Sequence, residues 1–84
     1  MARTRLTETE RMAKWLDEHR NGFTVGEFCA ALGYERQLAA YDILPALEQA
    51  AALFTQPVTR CDLSGCWQDT GYFIWSTWQP AEMT

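Results

Sequence analysis

His19, Cys29, Cys61 and Cys66 are the side chains best suited to chemistry in this chain, an imidazole and three thiols, the donor types of a zinc site. A closed site needs all four on one ion at about 2.0–2.3 Å. Their spacing is not that of a finger or a ribbon, and Cys29 falls on an apolar helical stripe, where a free thiol packs as a small hydrophobe. No metal is therefore expected. Catalysis has less support still: there is one histidine, no glycine-rich phosphate loop, and no Ser or Cys in a nucleophile motif with a partner base. The expectation is a non-enzyme without a cofactor.

The elements that position these residues belong to one small domain, residues 1–84 with frayed ends at about 1–5 and 80–84. A chain of 84 residues holds a single core, and 48% hydrophobic with 13% aromatic residues suffice to build it. The start, M-A-R-T-R-L-T-E-T-E, has no apolar run, so neither a signal peptide nor a membrane span is expected. A cytoplasmic location follows as the expectation. There the three cysteines should be mainly thiols, with Cys61 and Cys66 of C-D-L-S-G-C able to pair on oxidation. The formal net charge of -4 runs against nucleic-acid binding, which draws its sequence-independent affinity from neutralising phosphates.

Thr7 with Glu10 has the form of a capping box and predicts a helix from about Glu8, with Met12, Leu16 and His19 on one face and Asn21-Gly22 ending it. Thr24 with Glu27 repeats the device. Val25, Phe28, Cys29 and Leu32 then form a one-sided stripe that Gly33 terminates. Leu38, Tyr41, Leu44 and Leu47 predict a third helix running toward Ala51, with a kink or short break near Asp42 to Leu44, because Pro45 lacks an N–H and its ring clashes with the preceding turn. Beyond Ala52 the residues become β-type: L-F-T-Q-P-V-T-R, a turn-like C-D-L-S-G-C-W-Q-D-T-G, then Y-F-I-W-S-T-W. This predicts a hairpin with a long tip and with Pro57 on an edge or at a strand start.

Three short helices followed by a hairpin give an α+β chain whose T-V-G-E-F-C-A-A-L-G-Y and L-P-A-L-E-Q-A-A-A-L-F resemble helix 2, the turn and late helix 3 of winged helix-turn-helix domains, with G-Y-F-I-W-S-T-W resembling the returning wing strand. The likeness spans roughly residues 6 to 79 and is closest to small bacterial and phage transcription regulators. It implies duplex DNA as partner, with the second helix of the motif in the major groove and the wing on flanking backbone. By position the reading residues are Glu35, Arg36, Gln37, Ala39 and Ala40 on helix 3, and Arg60, Ser64, Gln68 and Thr70 on the wing. Arg36 suits a guanine edge and Gln37 an adenine edge; Arg3 and Arg5 are either an arm on phosphates or a loose terminus. The chain departs from the pattern through Pro45 and through Glu35 and Asp42 beside a single arginine.

Trp67, Tyr72, Phe73, Trp75 and Trp78 crowd into twelve residues. Strand alternation sends them to both faces, so part of this cluster should remain outside as a homodimer or protein-partner interface, with Trp67, Trp75 and Trp78 as its residues. Two functions follow. The leading expectation is a DNA-binding transcription regulator, because what the resemblance implies outweighs a net charge that says little about a local surface; the alternative is an acidic winged-helix protein-interaction module, an adaptor or phage-type inhibitor, that does not bind DNA.

Overall fold

Two threonines start the first two helices by the same device. The computed structural model describes residues 7–83. In α1, Glu8–Glu18, the Glu10 N–H donates to Thr7 Oγ1 at 3.1 Å while the Thr7 N–H donates to Glu10 Oε1 at 2.9 Å. In α2, Val25–Leu32, Thr24 and Glu27 make the same reciprocal pair at 3.2 and 3.1 Å. Each box satisfies two backbone donors that a helix start leaves without partners. Gly33 closes α2 at φ 81, and its N–H donates to the Cys29 carbonyl at 2.8 Å.

The third helix, α3, is one helical run over residues 36–49: α-helical at Arg36–Leu38, π-helical at Ala39–Ile43 and α-helical again at Leu44–Gln49. The distortion expected near Asp42 to Leu44 takes the form of this π-helical stretch, and the helical run does not break. The turn before the proline widens instead, so that the Leu44 N–H donates to the Ala39 carbonyl five residues back. That widening inserts one residue into the helical phase and corrects the expected apolar stripe. Ala39, Leu44 and Leu47 are buried, whereas Leu38 and Tyr41 point to solvent. α3 ends with Ala51 at φ 59; the Ala51 N–H donates to Glu48 and the Ala52 N–H to Leu47, the paired closure usually built around glycine.

Strands β1, Leu53–Asp62, and β2, Gly65–Ile74, pair antiparallel over all ten positions, from Leu53 opposite Ile74 to Asp62 opposite Gly65. The long tip expected from the sequence is therefore a two-residue turn, Leu63-Ser64. Asp62 Oδ1 accepts from both the N–H and the hydroxyl of Ser64, at 2.8 and 2.6 Å, and Gly65 takes φ 134. These contacts let the pairing run to the end of each strand. The ribbon is about 33 Å long at the usual rise per residue, which accounts for the elongated 50 × 27 × 22 Å shape of the described chain.

Phe23, between α1 and α2, exchanges both backbone hydrogen bonds with Tyr72 at 3.0 and 2.7 Å. The backbone of Tyr72 thus faces away from β1, making Thr55 and Tyr72 a non-hydrogen-bonded pair. By alternation Pro57 belongs to the same class. Its missing N–H lies on the outer edge, so it removes no ladder bond and leaves a gap in the row of donors that a foreign strand would use.

The core joins Met12, Ala13 and Leu16 of α1, Phe23, Val25 and Phe28, Ala39, Leu44 and Leu47 of α3, Ala52, Leu53, Tyr72, Ile74 and Trp78. After β2 the Trp78 N–H donates to the Trp75 carbonyl, and Pro80–Glu82 forms a 3-10 turn that sets Met83 against the core. The result is the expected layout of three helices followed by a two-stranded antiparallel hairpin. No helix among the described residues is long and apolar enough to cross a membrane.

Candidate functional site

Arg36 and Gln37 occupy the first turn of α3 and are exposed, as is Glu35 before them. The Arg36 guanidinium lies beside Gly26, where a Cβ would stand 3.6 Å from Nη1, and it makes no ion pair with the described residues. Two of the expected reading positions are corrected: Ala39 is fully buried, and Ala40 is half-buried against the core. The side chains that the front of α3, up to residue 43, presents after Gln37 are Leu38, Tyr41 at 76% exposure, and Asp42.

The hairpin places Ser64, Gln68 and Thr70 in solvent, but holds Arg60. Arg60 Nε donates to Glu27 Oε2 at 2.9 Å and Nη2 to Oε1 at 3.4 Å, tying the ribbon to the cap of α2. The hydrogen bond from Arg60 holds the Glu27 carboxyl below its ordinary 4.5 against the opposing effect of partial burial, and the same bond raises the Arg60 guanidinium. Ser64 is likewise engaged, by Asp62. Arg3 and Arg5 lie outside the described residues.

The link between Glu27 and Arg60 has a pH signature. A carboxyl held below its ordinary value adds stability that is present above 4.5 and is lost as pH falls through the lowered value. Both side chains are partly exposed, so solvent screening limits the pair to about 0.5–1 kcal/mol. Glu27→Gln keeps an oxygen for the Thr24 N–H and removes the charge. It is expected to be less stable than the wild type by about that amount at neutral pH, with the difference vanishing below the lowered value; urea melts at both pH values check this.

Two further arginines are committed elsewhere. Arg20 bonds Asp17 at 2.8 Å and the carbonyls of Trp75 and Trp78 at 3.3 and 2.8 Å, and Arg11 donates to the Leu32 carbonyl at 3.1 Å. Trp78 is the clear correction to the expected interface. It is 4% exposed, packed in the core with the Arg20 guanidinium 5.7 Å from its ring centre. A strand continued to Trp78 would have carried it past the core; the turn after Ile74 folds it back instead.

Trp75 and Trp67 are each 45% exposed. Trp75 packs on Phe54 at 4.4 Å, and Phe54 stacks on Phe73 at 5.6 Å, at the base of the ribbon. Trp67 lies further out, opposite Arg60, and Leu63 at the tip is fully exposed. Leu63 was legible as an apolar residue inside a turn motif. Leu38 and Tyr41 were not, since helical spacing assigns them to the core. Beside these, Thr55, Gln56, Pro57, Gln68, Asp69 and Thr70 line an open polar depression along the ribbon.

The possible zinc donors do not converge. His19 stacks on Trp15 with ring centres 3.9 Å apart and donates from Nδ1 to the Trp15 carbonyl at 2.7 Å. Cys29 is half-buried on α2. Cys61 and Cys66, for which thiols and an oxidised pair were both open, form a disulfide with Cα atoms 4.0 Å apart, because full strand pairing sets them directly opposite each other. No family model, curated protein or solved structure matches the chain.

Proposed function

We propose that the chain is a winged-helix module that recognises a protein through the exposed side of α3, with the hairpin as a second contact. Support for the winged-helix reading comes from the helix order, the left-handed Gly33 between α2 and α3, and the returning hairpin. The observation that carries the partner class is the state of Arg60. Glu27 already neutralises it, leaving Arg36 as the cation of α3 and the hairpin without an ion pair among the described residues. On these two elements, one such arginine among Glu35, Asp42, Asp62 and Asp69 offers little counterion release on a phosphate backbone. Leu38, Tyr41, Leu63 and Trp67 offer instead the apolar and aromatic anchors that protein interfaces use.

A second reading, a DNA-binding transcription regulator, is favoured by Arg36 and Gln37, which stand together and exposed at the start of α3. One experiment separates the two. Amide spectra of labelled protein, titrated with mixed duplex DNA at low and then high salt, are expected to stay unmoved. Salt-sensitive shifts at Arg36, Gln37 and Arg60 would establish the regulator and overturn the protein-binding reading. In parallel, a protein retained by the immobilised chain after nuclease treatment should be lost when Leu38→Asp and Tyr41→Ala are combined in a folded variant. Sedimentation at rising concentration reads whether the retained partner is a second copy.

A further inference from the structure

We propose that Cys61 and Cys66 form a reversible thiol–disulfide exchange site for small thiols of the glutathione class, placed so that its state changes the end of the hairpin and leaves the core intact. Three observations carry this. Both residues are exposed at the far end of the ribbon, the penultimate pair before the turn, so a thiolate reaches either sulfur without any opening of the fold. They form a non-hydrogen-bonded pair, as the alternation from Thr55 and Tyr72 requires, and such pairs bring Cα atoms closest.

The third observation is what else holds the register. At the base, Leu53, Tyr72 and Ile74 are buried, and Phe23 fixes Tyr72 by two hydrogen bonds; at the turn, Asp62 binds Ser64. The cysteines are already neighbours before they are oxidised. Because the bond joins residues only five apart, it removes less freedom from the unfolded chain than a bridge closing a long loop would. Its effect is local, on the segment that carries Leu63 and Trp67. Cys29, half-buried on α2, has no thiol beside it and takes no part.

The exchange is balanced by two equivalents of the small thiol. Its thiolate attacks one cysteine sulfur, the bond between Cys61 and Cys66 breaks, and the other sulfur leaves as a thiolate. A second thiolate attacks the small-thiol sulfur of the mixed disulfide and releases the remaining cysteine. The protein gains two electrons and two protons as two thiols, and the two small thiols leave as their own disulfide.

This inference does not rest on the partner reading, because its readout is the hairpin itself. The full chain is equilibrated in buffers of stepped reduced-to-oxidised glutathione ratio and alkylated. Peptide mapping then locates the blocked cysteines, while amide spectra and thermal melts are recorded at each ratio. Cys61 and Cys66 are expected to convert together and reversibly within the series, with shifts confined to about residues 59–68 and amide signals of Leu16, Phe28 and Leu44 unmoved. A disulfide that the folded protein keeps at every ratio, one that never forms, or reduction that unfolds the whole chain would each overturn the proposal. A Cys61→Ser, Cys66→Ser chain supplies the second check: its spectrum should match that of the reduced protein and ignore the glutathione ratio.

Discussion

Phe28→Ala is expected to remove a large part of the stability of this domain. Phe28 is fully buried, meets Trp15 edge-on at 5.6 Å, and stacks on Phe23 at 5.7 Å and Tyr34 at 5.6 Å. It therefore joins α1, the segment before α2 and the loop before α3 through one ring. Truncating a buried phenylalanine costs about 3–5 kcal/mol through lost transfer energy and the cavity left behind. Small domains hold only about 5–15 kcal/mol in total. At about 4–8 °C per kcal/mol for a chain of this size, Tm should fall by roughly 15 °C or more. Thermal and urea unfolding followed by circular dichroism check this; a loss under about 1 kcal/mol would mean that the surrounding rings close the gap or that Phe28 is not the hub.

Gly22→Ala is expected to cost about 3 kcal/mol, an unusual effect for one methyl group at a helix exit. Two causes act together. Gly22 sits at φ 117, a region L side chains rarely adopt, and a Cβ there would lie 2.6 Å from Phe73 Cε2. The opposite edge of the same ring lies near Gly71, where a Cβ would come within 3.0 Å of Phe73 Cε1 and would also strike Val58. Backbone strain of about 1–3 kcal/mol adds to overpacking of similar size. Restoring space with Phe73→Leu in the Gly22→Ala background should recover the steric part alone. The comparison of single and double variants by urea melts measures that share, and no recovery would assign the whole effect to the backbone.

The capping boxes at Thr7 and Thr24, the glycine stop at Gly33 and the β-type composition after Ala52 are local signals, and the helices and strands begin and end close to where those signals lie. What local pattern does not carry is a change of period or a long-range pairing. Leu38, Tyr41, Leu44 and Leu47 read as one stripe only if every turn has the same pitch, and the wide turn at Ala39–Ile43 divides them into an outer pair and an inner pair. The C-D-L-S-G-C stretch reads as loop because Asp, Ser and Gly are turn formers. Its two cysteines reveal a strand pairing only once Tyr72 has set the alternation. The candidate site was legible where exposure follows from position, as at Arg36, Gln37 and Gln68, and not where a side chain finds a partner far along the chain. Arg60 is 33 residues from Glu27, and Trp78 is 58 from Arg20.

The wide turn in α3 also divides the helix into two parts with separate tasks. Each residue of an α-helix turns the chain by about 100°, so one additional residue inside residues 39–43 sets the azimuth of Arg36, Gln37 and Leu38 independently of Leu44 and Leu47. The rear of the helix can stay anchored in the core while the front is aimed elsewhere. A deletion within those five residues would act as a rotation of the front surface, whereas a point substitution there only changes what that surface carries. This separates the direction of that surface from its composition, and the two can vary without disturbing the packing beneath.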